Sequence, residues 1–553
     1  MKNRDTQIRH TGSHFCRVRL FIAVLIAAAL SLLGCTSKQT AVECGIADQE
    51  LYIANQTEPQ DLDPHIVTGV PEFHILEALF EGLVISEPKS LQPVPGVAKS
   101  WDTADGGLTW TFHLRSDALW SNGDRVTAGD FHFSFQRILS PGLGSEYAYM
   151  LYCLKGAEAY HKRTTDDFSS VGAGVADDTT LVLTLGRPTP FFLSLLAHHS
   201  WFPVHRATIL KFGKIDSRGT AWTRPEHFVG NGSFTLASWE INRIVSVVKS
   251  EKYWDRNKVR LNRINFYPID NLQTEERSFR TGEVHMTTNL APARIEWYRT
   301  NNPEALRIDP YLGTYFYVVN VQRPPMDNPL IRRAMALSID RKAIVEHILK
   351  GGQLPATCFT PPATGGYTAD SALRFDTTEA RKLLAEAGYG PGGKAFPPVE
   401  VLYNTSETHH TVAQAIQQMW KRYLGIEVTL VNQEWKVYLA SKQQGGFSIA
   451  RMGWIGDYND PMTFLDMWVT GGGNNNTGWS DRRYDSLISV AAVASGRETR
   501  FGAFRSAEAL LLEEMPVLPI YFYTNVYLLH PAVKGWYPNL LNIHNYKYVW
   551  LEK

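Results

Sequence analysis

Strand and helix patterns intermix along this chain, and this restricts its fold more than any other feature. The segments LTWTFHLR (108–115) and GIEVTLVNQEW (425–435) alternate apolar and polar side chains, as half-buried strands do. The segments at 327–352, 377–390 and 406–425 instead carry apolar side chains at helical spacing. Helices that alternate with strands predict an α/β protein with layered sheets.

Capping residues predict where the helices begin and end. In the segment 327–352, Asp327 or Asn328 can cap the start, and Gly351 lies just past the expected end of one long surface helix. The second helix is predicted to begin after Thr377 or Thr378. The third is expected to bury a stripe of side chains, namely Val412, Ile416, Met419 and Tyr423.

The length of 553 residues exceeds what one hydrophobic core supports, so two or three lobes with discontinuous cores are expected. The composition, 44% hydrophobic and 20% charged, is ordinary for a globular protein. An aromatic content of 12% is high enough to line grooves. No internal repeat stands out, and GGGNNNTG (471–478) is the one long loop-like segment.

The formal net charge is zero, but the charge is unevenly distributed. Residues 1–34 hold five basic residues and one acidic residue, a charge of +4, which leaves 50 basic and 54 acidic residues, or −4, for the rest. A mildly acidic body lacks the basic face that nucleic acids require. Nucleic acid is therefore not an expected partner.

The amino terminus has the form of an export signal, with a basic stretch before the apolar run LFIAVLIAAALSLLG (20–34). That run is too short to span a membrane comfortably. It ends in LLGC (32–35), which resembles a bacterial lipobox and implies a lipoprotein signal peptide over 1–34 with lipid on Cys35. A plain signal peptide, or an anchor helix with an incidental cysteine, is the alternative. Residues 35–48 are polar and are predicted to form a tether.

The cysteines and histidines do not indicate a metal site. Cys44, Cys153 and Cys358 remain in the exported chain, an odd number with long spacings and no C-x-x-C motif. The pairs at 198–199 and 409–410 lack the i, i+4 spacing of helical metal ligands. His198 and His199 are expected in surface or core positions.

Catalytic motifs are weak. SEPK (86–89) fits the S-x-x-K pattern of penicillin-interacting serine hydrolases, and RTG (280–282) distantly resembles their K-T-G. Ser86 and Lys89 would have to share a helix face, which Pro88 disfavours. The chain contains no G-x-S-x-G, H-E-x-x-H or P-loop motif.

The segment GGFSIARMGWIGDYNDP (445–461) predicts a strand that carries a cation and ends near a carboxylate. Arg451 lies on an otherwise apolar face, and a buried guanidinium needs a partner, either an internal Asp or an anionic ligand. Asp457 follows the strand. Six strand residues span at most about 20 Å, and a zwitterion of three or four amino acids, about 10–14 Å long, fits within that distance. The strand edge could pair with the backbone of such a ligand.

Several motifs occur in one order from about residue 50 to the end of the chain. They are LDPHIVTGVPE (62–72), LFEGLV (79–84), LTWTFHLR, WSNGDRVTAGDF (120–131), LLAEAGY, LYNTSETHH (402–410), VNQEW (431–435) and RMGWIGDYND (451–460). Together they resemble the oligopeptide-binding proteins of peptide ABC importers, which are family 5 extracellular solute-binding proteins. The resemblance implies a periplasmic-binding-protein-like fold of three lobes, two of them closing about a hinge. The implied lobes are domain I (49–80, 206–312 and 525–553), domain II (81–205) and domain III (313–524).

The resemblance also implies a role for individual residues. Asp457 would bind the α-ammonium group of a peptide. Arg451 and His409 would bind the carboxylate of a tripeptide, and Lys442 would bind the carboxylate of longer peptides. Main-chain pairing is implied for Thr68, Gly69, Val70, Gly453, Trp454 and Ile455. Trp435 and Trp454 would form walls of side-chain pockets.

Three positions depart from the family pattern. Thr68 stands where better-known members have a Glu, which should weaken a preference for basic side chains. Lys442 replaces an Arg and so loses the bidentate fork of a guanidinium. Gly313 and Ile455 occupy positions that form a disulfide in close relatives.

The implied protein is a lipid-anchored extracytoplasmic receptor without catalytic activity, cofactor or metal. It would bind peptides of about 2–5 residues and deliver them to the permease and ATPase subunits of an ABC importer, and it is expected to be a monomer. Cys35 is followed by Thr36 and not by Asp, so the sequence carries no inner-membrane retention signal. It does not decide whether the lipid would lie in the inner or the outer membrane. The alternatives are a receptor for murein peptides in the same fold, an S-x-x-K hydrolase, and a structural or adhesive envelope lipoprotein.

Overall fold

The computed structural model describes residues 39–553 apart from 190, 391 and 495. The predicted signal peptide and the lipidation of Cys35 lie outside the described residues. Within them, no helix combines the length and the apolar character needed to cross a membrane.

The described chain contains three main sheets, which confirms the predicted α/β class. The first sheet has the strand order Glu50–Ala54, Arg263–Tyr267, Ile244–Lys249 and Phe234–Glu240. The second has the order Ala98–Ala104, Thr109–Leu114, Thr180–Thr184 and Ala173–Asp177. The third has the order Leu354–Pro355, Val517–Leu528, Leu306–Val319, Ile449–Ile455, Val399–Asn404 and Val428–Gln433. Two short pairs are Val84–Ser86 with Pro93–Pro95 and Val533–Lys534 with Trp550–Leu551.

Helices surround these sheets. The α-helices are Ala41–Asp48, Val70–Leu79, Ala128–Leu139, Ala157–His161, Phe192–Leu195, Arg206–Phe212, Leu272–Arg280, Pro292–Asn301, Pro329–Leu337, Arg341–Ala343, Thr377–Glu386, Glu407–Leu424, Trp435–Gln443, Met462–Leu465, Arg482–Val493 and Arg497–Glu514. Shorter 3₁₀ segments are Asp105–Gly107, Ala148–Leu151, Phe168–Ser170, His199–Trp201, Ala221–Thr223, Asp466–Trp468 and Tyr546–Tyr548. A π-helix covers Ile344–Leu349.

Two long antiparallel strands connect the first and third lobes. Leu306–Val319 pairs with Val517–Leu528, and their register shifts between Pro310 and Thr314. The predicted boundaries between domains I and III, at 312/313 and 524/525, fall inside these two strands and near the register shift. The lobe boundaries themselves stay a prediction.

The tether predicted over 35–48 is wrong for its second half, because residues 41–48 form a helix. Thr40 and Glu43 close a capping box at its start. Gln49, just past its end, exchanges hydrogen bonds with the backbone of Leu551, at 2.7 and 3.1 Å. The helix is therefore docked on the first lobe near the carboxyl terminus.

The single surface helix predicted over 327–352 is also wrong. Asn328 caps the start as expected, but the first helix stops at Leu337 and buries most of its side chains. The buried Arg341 guanidinium causes much of this break, because it donates to the carbonyls of Ala336 at 3.0 Å and Pro519 at 2.7 Å. Asp340 then caps the next short helix.

The other two predicted helices are present, with small differences. Asp376 caps the helix Thr377–Glu386, although Thr377 or Thr378 was expected in that role. Ser406 caps Glu407–Leu424, as the segment boundary predicts. Its fully buried stripe is Val412, Ala413, Ile416, Trp420 and Leu424, whereas Met419 and Tyr423 are half-buried.

A buried ion pair fastens the segment at 62–65 to the second lobe. Arg137, on the helix Ala128–Leu139, donates to both carboxylate oxygens of Asp63 at 2.6 and 2.9 Å, and neither side chain is more than 2% exposed. Burial alone would raise the pKa of Asp63, but the Arg137 cation holds it below its usual value. This pair positions the chain that leads into Thr68 and Gly69.

Replacing Asp63 with Asn should destabilise the protein strongly, because it leaves the Arg137 cation buried without its partner. Loss of one partner of a buried pair costs about 3–5 kcal/mol. Scanning calorimetry should show a clearly lower unfolding temperature for Asp63→Asn. The control is Glu158→Gln, which breaks the exposed pair with Lys162 and should change the unfolding temperature little. Equal unfolding temperatures for the two variants would contradict this role.

Candidate functional site

A cleft between the lobes brings together all of the predicted ligand-binding residues. Its first cavity is lined by Thr68, Gly69, Val70, His409, Trp435, Arg451, Gly453 and Ile455, among others. Its second cavity shares most of these residues and adds Lys442, Trp454 and Asp457. The two cavities are therefore adjoining parts of one cleft, with Asp457 at one end and His409 towards the other.

The strand Ile449–Ile455 forms one wall and has a free edge. It pairs along its whole length with Leu306–Val319 on one side. On the other side only Ile449 and Ala450 pair with Val399–Asn404. Among the described residues no strand pairs with 451–455 on that side. This edge can accept the backbone of an extended ligand.

Thr68, Gly69 and Val70 line the opposite wall, but they are not the edge of a sheet. Thr68 and Gly69 are irregular, and Val70 begins the helix Val70–Leu79. A Cβ atom on Gly69 would lie 2.0 Å from Oε2 of Glu72 and 3.2 Å from the ring of Trp435. Glycine thus allows this backbone to approach the third lobe closely.

Asp457 is a buried carboxylate with a partner on each oxygen. Its side chain is 7% exposed, and Oδ2 lies 3.3 Å from the hydroxyl of Thr463, which also accepts the Asp457 backbone N–H at 3.0 Å. Oδ1 lies 3.3 Å from Nε2 of His198, on the second lobe. The site therefore holds a negative charge away from bulk water.

Arg451 carries a positive charge that no carboxylate neutralises within the described part of the chain. Its guanidinium donates to the hydroxyl of Tyr523 at 2.7 Å and to Asn404 at 3.4 Å, and it lies 4.8 Å from the ring centre of Tyr315. Of the two alternatives for its partner, an internal Asp is therefore not present among the described residues, and the anionic ligand stays a prediction. Neutral partners hold the cation in place without cancelling its charge.

His409 lies in the first turn of Glu407–Leu424, where backbone N–H groups favour an anion. Burial and the Arg451 cation hold the pKa of His409 well below its usual value, so the imidazole is neutral at pH 7. Its Nδ1 atom is buried and has no hydrogen-bond partner in the described protein. A ligand carboxylate could provide one.

Lys442 lies at the Asp457 end of the cleft. It is 6% exposed and lines only the cavity that contains Asp457. Burial lowers the pKa of Lys442, and the nearby Glu146 carboxylate partly opposes this. The adjacent Gln443 hydrogen-bonds to Glu146, which joins the helix Trp435–Gln443 to the second lobe.

The two tryptophans differ in their surroundings. Trp454 is 5% exposed and donates to the carbonyl of Thr463 at 2.7 Å, so it packs in the core while lining the cleft. Trp435 stacks on Tyr438 and lines both cavities, and its Nε1 atom has no partner among the described residues. Trp435 is the better candidate for a pocket wall.

Four further residues, three that line the cleft and one buried beside it, were not predicted from the sequence. Tyr147 and His198 come from the second lobe and line the cavity at Asp457, while Tyr315 and Tyr523 hold Arg451. His198 was expected in a surface or core position, but it contacts Asp457. His199 is buried and bonds to the carbonyl of Pro64 at 2.7 Å, as a core residue does. Nothing in the sequence relates residues 147 and 198 to 457, which the fold alone brings together.

The geometry does not support an S-x-x-K hydrolase. Ser86 ends the strand Val84–Ser86, and the Lys89 ammonium lies 4.4 Å from the ring centre of Tyr537. The hydroxyl and the ammonium thus do not share a helix face. The described residues contain no group of three or more potential metal ligands.

The three described cysteines are unpaired. Gly313 and Ile455 are direct cross-strand neighbours, and a Cβ on Gly313 would lie 2.5 Å from Cδ1 of Ile455. The isoleucine side chain therefore fills the space over the glycine. At this position the chain packs two strands without a covalent link.

Comparison with two structures of one relative indicates how the lobes of this chain are arranged. The *Escherichia coli* murein tripeptide-binding protein MppA matches with a TM-score of 0.86 at 34% identity, covering 91% of this chain and 98% of that one. The unliganded open form of MppA has the same 34% identity, and the match covers 91% of this chain and 97% of that one. Its TM-score is only 0.62. The lobes of this chain are thus arranged as in the first structure and unlike the open form.

Other comparisons agree over nearly the whole chain. *Haemophilus influenzae* OppA in complex with RPPGFSPFR has a TM-score of 0.85 at 34% identity, covering 92% and 99% of the two chains. The periplasmic oligopeptide-binding protein OppA of *E. coli* K12 is 37% identical over 531 residues, 94% of this chain and 95% of that protein. The periplasmic murein peptide-binding protein MppA of the same strain is 35% identical, and the match covers 88% of this chain and 90% of that protein.

The family model described as bacterial extracellular solute-binding proteins, family 5 Middle, matches residues 92–476. With its lobes, its cleft and these relatives, this chain belongs to the family 5 extracellular solute-binding proteins.

Proposed function

We propose that this protein is a receptor for short peptides that passes them to an ABC importer. The observation that carries the proposal is the strand Ile449–Ile455, with Arg451 on its free edge and Asp457 just beyond its end. Arg451 and Asp457 are six residues apart and carry opposite charges, which suits the two charged ends of a short zwitterionic peptide. Asp457 would bind the α-ammonium, and Arg451 with His409 would bind the carboxylate.

Main-chain pairing would hold the peptide between these ends. The unpaired edge at Gly453, Trp454 and Ile455 supplies hydrogen-bonding groups that do not depend on peptide side chains. Thr68, Gly69 and Val70 would pair from the opposite wall. Trp435 would pack against a peptide side chain, and Thr68 in place of a Glu gives the pocket no acidic group at that position.

The placement of Lys442 bears on peptide length. It lines the cavity at Asp457 and not the one at His409, so it suits a carboxylate close to the bound ammonium. We therefore assign Lys442 to the shortest peptides, which revises its expected role with longer ones. The first cavity mixes polar and apolar lining residues, and the apolar ones would suit an apolar side chain; they include Leu272, Met286, Leu290, Ile295, Leu349 and Val526.

The proposed location is the outer face of a membrane, with Cys35 lipidated and residues 1–34 removed. The similarity to proteins described as periplasmic supports an extracytoplasmic site. The partners would be the permease and ATPase subunits of an importer, with the receptor acting as a monomer. Solute binding without catalysis is the activity of the family.

A murein peptide is the second candidate ligand, because one close relative is a murein peptide-binding protein. We favour ordinary peptides, since Arg451 retains a cation whose described partners are all neutral, and the resemblance implies a different residue at that position in murein-peptide receptors. Native mass spectrometry of protein purified from cells would identify the ligand by its mass. Co-purified murein fragments without ordinary peptides would reverse this preference.

Asp457→Ala should remove most of the affinity for peptides with a free amino terminus. Truncating one partner of a desolvated charge pair costs about 2–5 kcal/mol. Titration calorimetry with unmodified and N-acetylated tripeptides provides the measurement, because acetylation removes the same charge from the ligand. Full affinity in the variant, or equal binding of the two peptides by the wild type, would refute the role of Asp457.

Arg451→Met should weaken tripeptides with a free carboxylate and have little effect on C-amidated ones. Methionine keeps much of the aliphatic packing but removes the cation, and a hydrogen bond to a charged group contributes about 1.5–3 kcal/mol. Calorimetry with the matched pair of ligands checks this expectation. Arg422→Met, on the last turn of the helix Glu407–Leu424, is the control for loss of a cation outside the cleft. An equal loss for both ligands would show that Arg451 supports the fold rather than the carboxylate.

A further inference from the structure

His198 lies at the amino-terminal end of the cleft but comes from a different lobe than Asp457. It precedes the 3₁₀ segment His199–Trp201 of the second lobe, whereas Asp457 follows a strand of the third sheet. Nε2 of His198 and Oδ1 of Asp457 are 3.3 Å apart, and both side chains are 7% exposed. This contact therefore crosses the cleft where a peptide would begin.

The surroundings of His198 fix its tautomer. The backbone N–H of Ser200 donates to Nδ1 at 3.3 Å, and the Ser200 hydroxyl lies 2.9 Å from the same atom. A ring nitrogen that accepts a backbone hydrogen bond carries no proton, so the neutral imidazole holds its proton on Nε2. The Nε2 atom lies 3.3 Å from Oδ1 of Asp457, within the distance of a polar contact, although its N–H is not aligned for a hydrogen bond to that oxygen.

The carboxylate still has capacity for a ligand. Two carboxylate oxygens together offer about four acceptor positions. Thr463 uses one of them, on Oδ2, which leaves acceptor positions on both oxygens for an ammonium group. His198 thus does not block the α-ammonium position but reduces the cost of burying Asp457.

Aromatic contacts hold the imidazole ring in this orientation. The ring centre of His199 is 4.1 Å away, and those of Tyr147 and Phe73 are 4.7 and 6.3 Å away. Phe73 belongs to the helix Val70–Leu79 that begins at the cleft. The histidine is therefore packed on several sides before any ligand is present.

We propose that His198 is a positioning residue for Asp457: across the cleft, its Nε2 atom makes a polar contact with the carboxylate that receives the peptide ammonium. The inference rests on the proposed peptide-binding function and deepens it. It makes lobe closure and recognition of the amino terminus depend on one contact. The contact belongs to the lobe arrangement seen here, which differs from the open form of the relative MppA.

A double-mutant cycle distinguishes this role from simple packing. His198→Leu should weaken binding of an unmodified tripeptide about ten- to a hundredfold, because the buried Asp457 carboxylate loses a polar neighbour. In an Asp457→Asn background the same change should have little further effect, since the charge that His198 serves is absent. His198→Gln, which keeps an N–H donor of similar reach, should recover most of the affinity.

The measurements are titration calorimetry for affinity and small-angle scattering without peptide for the population of closed molecules. His198→Leu should lower the closed population, and His198→Gln should restore it. Circular dichroism and the unfolding temperature check that each variant is folded. Equal affinity losses in the wild-type and Asp457→Asn backgrounds, or a glutamine variant as weak as the leucine variant, would overturn the proposal. Absence of peptide binding by the wild-type protein would instead refute the proposed function.

Discussion

The buried carboxylate of Asp457 is the constraint on which the cleft depends. A charge removed from water costs several kcal/mol unless partners replace the lost hydration. Thr463 supplies one partner from the same lobe, and His198 supplies another from the opposite lobe. Because part of this compensation crosses the cleft, the carboxylate is best satisfied when the lobes are together. The proposed binding of an ammonium group at Asp457 would therefore be linked to closure of the cleft at this one residue.

At the other end, Arg451 shows how a cation can be fixed without being neutralised. Tyr523, Asn404 and the ring of Tyr315 orient the guanidinium, but none of them carries a negative charge at neutral pH. An acidic partner would have stabilised the empty protein and competed with a ligand carboxylate. His409, which is neutral, also places no negative charge near Arg451 that would compete with a ligand carboxylate. The Arg451 cation therefore stays available to a ligand carboxylate.

Much of the site could be predicted from the sequence because its residues lie in short local patterns. The alternation at 447–455 predicts the strand, and Arg451 and Asp457 follow from position along it. The helix break at 338–340 was missed because it depends on Arg341 reaching the carbonyl of Pro519, far away in sequence. His198 was missed for the same reason. The helix at 41–48 was overlooked because eight residues make only about two turns, too few to show a clear helical period.

The arrangement of charges also separates two kinds of selectivity. The proposed backbone pairing along 453–455 would treat all side chains alike, so it would set the orientation of the peptide but not a sequence preference. Under the proposed function, peptide length depends on which group receives the carboxylate, since Lys442 lines the Asp457 cavity, Arg451 lines both cavities, and the neutral His409 lines only the other. Arg451 offers a rigid planar fork, whereas Lys442 offers a compact ammonium on a flexible stem whose pKa burial lowers. A carboxylate at Arg451 therefore gains the better-defined geometry, and this favours a peptide long enough to reach it over one that ends at Lys442.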